Sequence, residues 1–85
     1  MKEDATLCAQ KINYGQSEIW LETDGKELTQ RRQLATNEVV NVVRRHCTPE
    51  VFKVFYADYS VAAGHVATLT VANLDEIAVE LRLKA

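Results

Sequence analysis

Ser17-Glu18-Ile19-Trp20-Leu21-Glu22-Thr23-Asp24-Gly25-Lys26-Glu27-Leu28-Thr29 carries the strongest local instruction in the chain. Asp24-Gly25 separates two runs rich in strand formers. A two-residue loop of this kind folds as a type I′ turn, in which both turn residues need positive φ. That turn pairs Thr23 with Lys26, Leu21 with Leu28 and Glu18 with Arg31. Alternation then puts Ile19, Leu21 and Leu28 on one face, and Glu18, Trp20, Thr29 and Arg31 on the other. Glu22 opposite Glu27 is a like-charge pair that works against this register. The second strand is expected to run on to Leu34.

Beyond the hairpin the period changes. Val39, Val40, Val42, Val43 and Cys47 fall within one arc of a helix wheel, a core-facing stripe. Thr36 or Asn37 is the expected N-cap, with Glu38 at the positive end of the dipole and Arg44, Arg45 and His46 in the last turn. Thr48-Pro49 ends this helix, since a residue before proline avoids the helical region. Residues 51–59 alternate as a strand, with Phe52, Val54 and Tyr56 on one face and Phe55 and Tyr59 on the other. Residues 60–64 make a loop. Residues 65–72 return as a strand with Ala67, Leu69 and Val71 inward. Asn73 caps a last helix, and Glu76 occupies the capping-box position. The two halves thus share a hairpin-cap-helix pattern with a period of about 35 residues.

Residues 4–14 fit two patterns. Ala5, Cys8, Ala9 and Ile12 would line a helix face, whereas Thr6, Cys8, Gln10, Ile12 and Tyr14 would line a strand face. A strand would cover the free edge of the hairpin. The expected architecture is a single α+β domain over residues 1–85: an antiparallel sheet of four or five strands, two helices packed on one face, in ββαββα order.

Composition narrows function. The chain has 85 residues, 47% hydrophobic and 26% charged, with a formal net charge of −2. A chain this short buries roughly 60–65% of its unfolded surface, so its core is thin. No run reaches the ~20 apolar residues of a membrane span. Met1-Lys2-Glu3-Asp4 does not open a charged-then-apolar leader, and two widely spaced cysteines suit a reducing compartment, so a cytoplasmic location is expected.

Catalytic and metal motifs are missing. Cys8, His46, Cys47 and His65 lack the short paired spacing of zinc sites. Cys47 lies on the packed stripe of its helix, where thiols are usually inert. Three glycines at 15, 25 and 64 cannot form a phosphate-cradling loop. The expectation is a non-enzymatic protein without metal or cofactor.

Two surfaces invite partners. Charge is uneven, with a net −3 in residues 1–30, +3 in residues 31–53 and −2 in residues 54–85. Trp20 is a candidate anchor for a protein partner, since tryptophan is enriched at binding hot spots. Glu18, Arg31, Arg32, Arg44 and Arg45 would supply polar contacts, as in a small adaptor or inhibitor of the kind phages and mobile elements encode. On the last helix, Leu74, Ile77, Ala78 and Leu81 make the core stripe. Val79 and Leu83 lie nearly opposite, a candidate homodimer contact. The alternative is a nucleic-acid-binding regulator that uses Arg31, Arg32, Arg44, Arg45 and Lys53. A helix-turn-helix reading of residues 28–40 lacks a turn glycine and competes with the hairpin for residues 28–34.

Overall fold

The computed structural model describes residues 5–28 and 31–82. Five strands and three helices follow one another as β1 (Ala5–Asn13), β2 (Gln16–Thr23), β3 (Lys26–Glu27), β4 (Arg32–Ala35), α1 (Thr36–His46), α2 (Pro49–Tyr59), β5 (Val66–Val71) and α3 (Leu74–Glu80). The sheet is antiparallel, in the order β3-β2-β1-β5, with β4 continuing the β3 side of β2. The α+β class and the antiparallel sheet are as expected. The element order departs at residues 51–59, where a third helix replaces a strand.

The hairpin turn forms as the sequence dictates. Asp24 and Gly25 have φ of 53° and 74°, and Thr23 pairs with Lys26 and Glu22 with Glu27. The like charges find other partners: Glu22 accepts from Trp20 Nε1 at 2.8 Å, and Glu27 pairs with Arg31 at 3.5 Å. Farther on the register differs from the simple hairpin, because Glu18 faces Gln33 and Ile19 faces Arg32. The strand expected to run on to Leu34 is broken into β3 and β4, and the register moves by two residues between them. An even shift keeps every side chain on its face, so Arg31 still reaches Glu18, at 3.4 Å. Leu28 remains 58% exposed, outside the core expected for it.

Residues 5–13 are a strand, and a central one, paired with β2 on one side and β5 on the other. Leu7 and Ala9 are buried under the helices while Cys8 faces the opposite side. This placement leaves no free edge on β2 beside the hairpin.

The helix over residues 49–59 has its own start signal. The Thr48 side chain accepts from Val51 N at 3.3 Å, and Pro49 sits in the first turn, where its missing N–H costs nothing. Helical spacing gathers Phe55 and Tyr59 into stacked contact, 5.2 Å between ring centroids, and both are buried. Phe52 and Tyr56 stack likewise, 5.5 Å apart. A strand would have split these aromatics between two faces.

All three helices contribute to one buried cluster on the same side of the sheet. Val39, Val40, Val42 and Val43 of α1, Phe55 and Tyr59 of α2, and Leu74, Ile77, Ala78 and Leu81 meet Leu7, Ala9, Ile19, Leu21, Ala67 and Leu69. The inward assignments on β5 and the apolar stripe around α3 therefore hold. The cap of α1 does not: the strand β4 runs straight into the helix, Ala35 occupies the cap position, and no side chain caps the first turn. Thr36 instead turns inward to Ser17, 3.3 Å between hydroxyl oxygens. Asn73 likewise makes no cap bond on α3. Its Nδ2 donates to the His46 carbonyl at 3.1 Å and so ties α3 to the end of α1. No helix among the described residues is long and apolar enough to cross a membrane.

Candidate functional site

Because the helices share one side of the sheet, the other side has no layer over it among the described residues. Trp20, Cys8 and Thr68 lie side by side there, on β2, β1 and β5. Trp20 is only 8% exposed. The Arg31 guanidinium covers its ring, 4.7 Å from the centroid, and is itself held by Glu18 and Glu27. The Glu22 carboxylate receives the indole N–H and also the Cys8 thiol, Sγ to Oε2 3.8 Å. Three of the six partner-binding candidates, Glu18, Trp20 and Arg31, are thus brought together. The tryptophan is roofed by the arginine and does not project.

The other three arginines lie apart. Arg32 points to the helix side and donates from Nη1 to the Arg82 carbonyl. Arg44 lies over the Phe52 ring, 5.0 Å from its centroid. Arg45 pairs with Glu80, whose other oxygen meets His46 Nε2 at 2.7 Å. Each guanidinium has a local partner, and they do not converge on one patch.

Val79 is 61% exposed on α3, with Asp75, Glu76 and Glu80 around it. Leu83, the other half of the candidate dimer contact, lies outside the described residues.

The cysteines sit in surroundings that favour the protonated thiol. Burial, and then the neighbouring Glu22 carboxylate, push the Cys8 thiol up. Burial alone pushes Cys47 up. His46, the base nearest in sequence, is turned to Glu80. Among the described residues, no three His, Cys, Asp or Glu side chains group closely enough to hold a metal ion.

A second feature was not singled out from sequence. The outer edge of β5 has no neighbouring strand among the described residues. Its residues, Val66-Ala67-Thr68-Leu69-Thr70-Val71, include no charge and no proline, and its pairing with β1 runs without a bulge. Proteins usually blunt a sheet edge with such devices. The opposite edge does so: it is broken into β3 and β4, of two and four residues, and carries Lys26, Glu27 and Arg32. Beside the β5 edge runs a groove lined by Glu50, Val51, Val54 and Phe55 of α2 and by Thr68, Leu69 and Thr70. The uncharged composition of residues 66–71 was the available signal; that they form an edge depends on β1 lying between them and the hairpin.

No family model, curated protein or solved structure matches the chain.

Proposed function

We propose that this chain is a small non-enzymatic binding protein of the adaptor or inhibitor type, acting in the cytosol, which takes an extended segment of a protein partner as an added strand on the outer edge of β5. The observation that carries this reading is the asymmetry of the two sheet edges, one short and charged, the other uncharged and without a neighbouring strand among the described residues. In strand addition, main-chain hydrogen bonds supply affinity and pockets for alternate side chains supply specificity. Val51, Val54 and Leu69 suit an apolar residue at every second position of the incoming segment, and Glu50 suits a basic residue beside it. The face around Trp20 borders this edge through Cys8 and Thr68 and would extend the contact, with Glu18, Glu22 and Arg31 as polar groups.

Two other readings have less support. Nucleic acid would call for a continuous basic surface, and the arginines are dispersed and locally paired. Self-association through Val79 and Leu83 would bring the acidic surround of Val79 against its own copy, a like-charge contact.

The test is Thr68→Lys/Thr70→Lys. Both side chains are exposed, so the fold is expected to persist, checked by circular dichroism. Lysines on an edge oppose strand addition. The wild type is expected to retain a partner from lysate that the double variant loses. Equal retention by both would contradict strand addition at β5.

A further inference from the structure

We propose that the cleft between the start of α1 and the end of α2 is a binding site for a phosphate group. Lys11 on β1 is only 8% exposed. Its Nζ lies 5.7 Å from the centroid of the Tyr59 ring, on α2. The ion pairs among the described residues all use arginine or histidine and leave this ammonium without a carboxylate. The residue is buried along its length while Nζ still reaches solvent, since Glu80 Oε2 alone is a buried, unpartnered side-chain N or O atom among the described residues, and a bound anion would supply the counter-charge that these neighbours do not. Packing of an aliphatic lysine stem on an aromatic ring is common. Here the ammonium itself lies over the ring, a cation–π contact that leaves its N–H donors without an acceptor.

That recess has a volume of about 460 Å³ and is lined by Lys11 together with Tyr14, Thr36, Asn37, Asn41 and Tyr56 among others. Among the described residues, no Asp or Glu lines it. A second source of positive potential opens into it. The helix α1 has 11 residues and no side-chain cap, since Ala35 has none to offer and Thr36 is turned to Ser17. Ser17 is fully buried and also shares a hydrogen bond with Tyr59, which fixes the back wall. Among the described residues the first-turn amides of α1 therefore have no side-chain acceptor, although Glu38 sits in that turn, at the end where the helix dipole is positive. A helix N-terminus with a lysine beside it is the arrangement that receives phosphate. Asn37 and Asn41, four residues apart, lie on one face of α1 and add carboxamide donors. Phosphate, with more oxygens and more charge than a carboxylate, can meet the ammonium, the amides and a carboxamide together. The site shares no lining residue with the β5 groove and stands independently of the partner proposed there.

The experiment is an amide NMR titration of the whole chain with inorganic phosphate, against sodium chloride at matched ionic strength and against acetate. Saturable shifts are expected at Lys11 and at residues 36–41, with phosphate bound more tightly than acetate. Lys11→Gln is expected to weaken binding by about tenfold or more, the loss typical of a charge-assisted contact. Should that variant fail to fold, Asn41→Asp, on an exposed helical position, places a carboxylate in the cleft and is expected to abolish binding. The proposal is overturned by the absence of saturable shifts, by equal affinity for acetate, or by unchanged phosphate affinity in the folded variant.

Discussion

Phe55→Ala is expected to lower the unfolding free energy by about 3–5 kcal/mol, the cost of emptying a buried aromatic site. Val54→Asp, one residue away, is expected to cost less than about 1 kcal/mol, as exposed positions do. The contrast follows from the helical geometry of residues 49–59, in which Phe55 is 1% exposed and Val54 is 68% exposed. Phe55 touches the core at the level of Leu69 and stacks on Tyr59. For a domain of this size, whose total stability is of order 4–13 kcal/mol at the usual value per residue, such a loss unfolds a measurable fraction of molecules. Urea unfolding of the two variants against wild type reads both numbers. The reverse pattern, tolerance at 55 and loss at 54, would return this segment to a strand with Phe52, Val54 and Tyr56 on its core face.

Trp20→Ala carries the second large effect, a destabilisation of about 3 kcal/mol, although Trp20 lies on the side of the sheet that no helix among the described residues covers. Its ring is closed off by Arg31 above and by Cys8 beside it. Its N–H is held by Glu22, and truncation would empty the space beneath the guanidinium. Arg31→Ala removes only the roof. Cation–π contact and solvent-exposed ion pairs are each worth at most about 1 kcal/mol, so stability should change little while the tryptophan emission shifts to longer wavelength as water reaches the ring. Thermal unfolding with fluorescence readout tests both. Unchanged emission in Arg31→Ala would mean that the indole is shielded by something else. The pair also bears on partner binding: loss of a complex in Trp20→Ala mixes stability with contact, whereas Arg31→Ala separates them.

Several parts of this molecule were legible in the sequence for physical reasons that can be named. Asp24-Gly25 dictated its turn because few other pairs accept two positive φ values. The valine stripe dictated α1, and Leu74, Ile77, Ala78 and Leu81 dictated the buried side of the last helix, because their spacing matches one helical face. Residues 51–59 misled because β-branched and aromatic residues alternate there. Thr48-Pro49-Glu50 reads as a stop for α1, yet the same three residues cap and begin α2, and the i, i+4 pairs Phe52/Tyr56 and Phe55/Tyr59 fit a helix equally well. Short apolar runs carry this ambiguity because packing, and not propensity, selects between the outcomes. For residues 5–13 the choice was likewise tertiary, since a strand there completes pairing on both of its sides.

Of the candidate partner residues, Glu18, Trp20 and Arg31 came together because they belong to one hairpin, whose contacts are local. Arg32, Arg44 and Arg45 are close in sequence but separated by the strand-to-helix change at Ala35 and by the helix wheel of α1. The bare edge of β5 and the recess at Lys11 were hidden for the opposite reason. Lys11 meets Tyr59 across 48 positions of chain, a juxtaposition that exists only once β1 is central.

In the proposed function, an extended segment of a partner pairs with the outer edge of β5. The most direct measurement is photo-crosslinking in the cell that makes the protein, with a photoreactive residue at Thr68 on that edge and, as control, at the exposed hairpin residue Asp24. The expected result is a specific adduct to another protein from position 68, absent from position 24 and lost when Thr70→Lys is added. No adduct from position 68, an adduct only to a second copy of the chain, or the same adducts from both positions would contradict strand addition at β5.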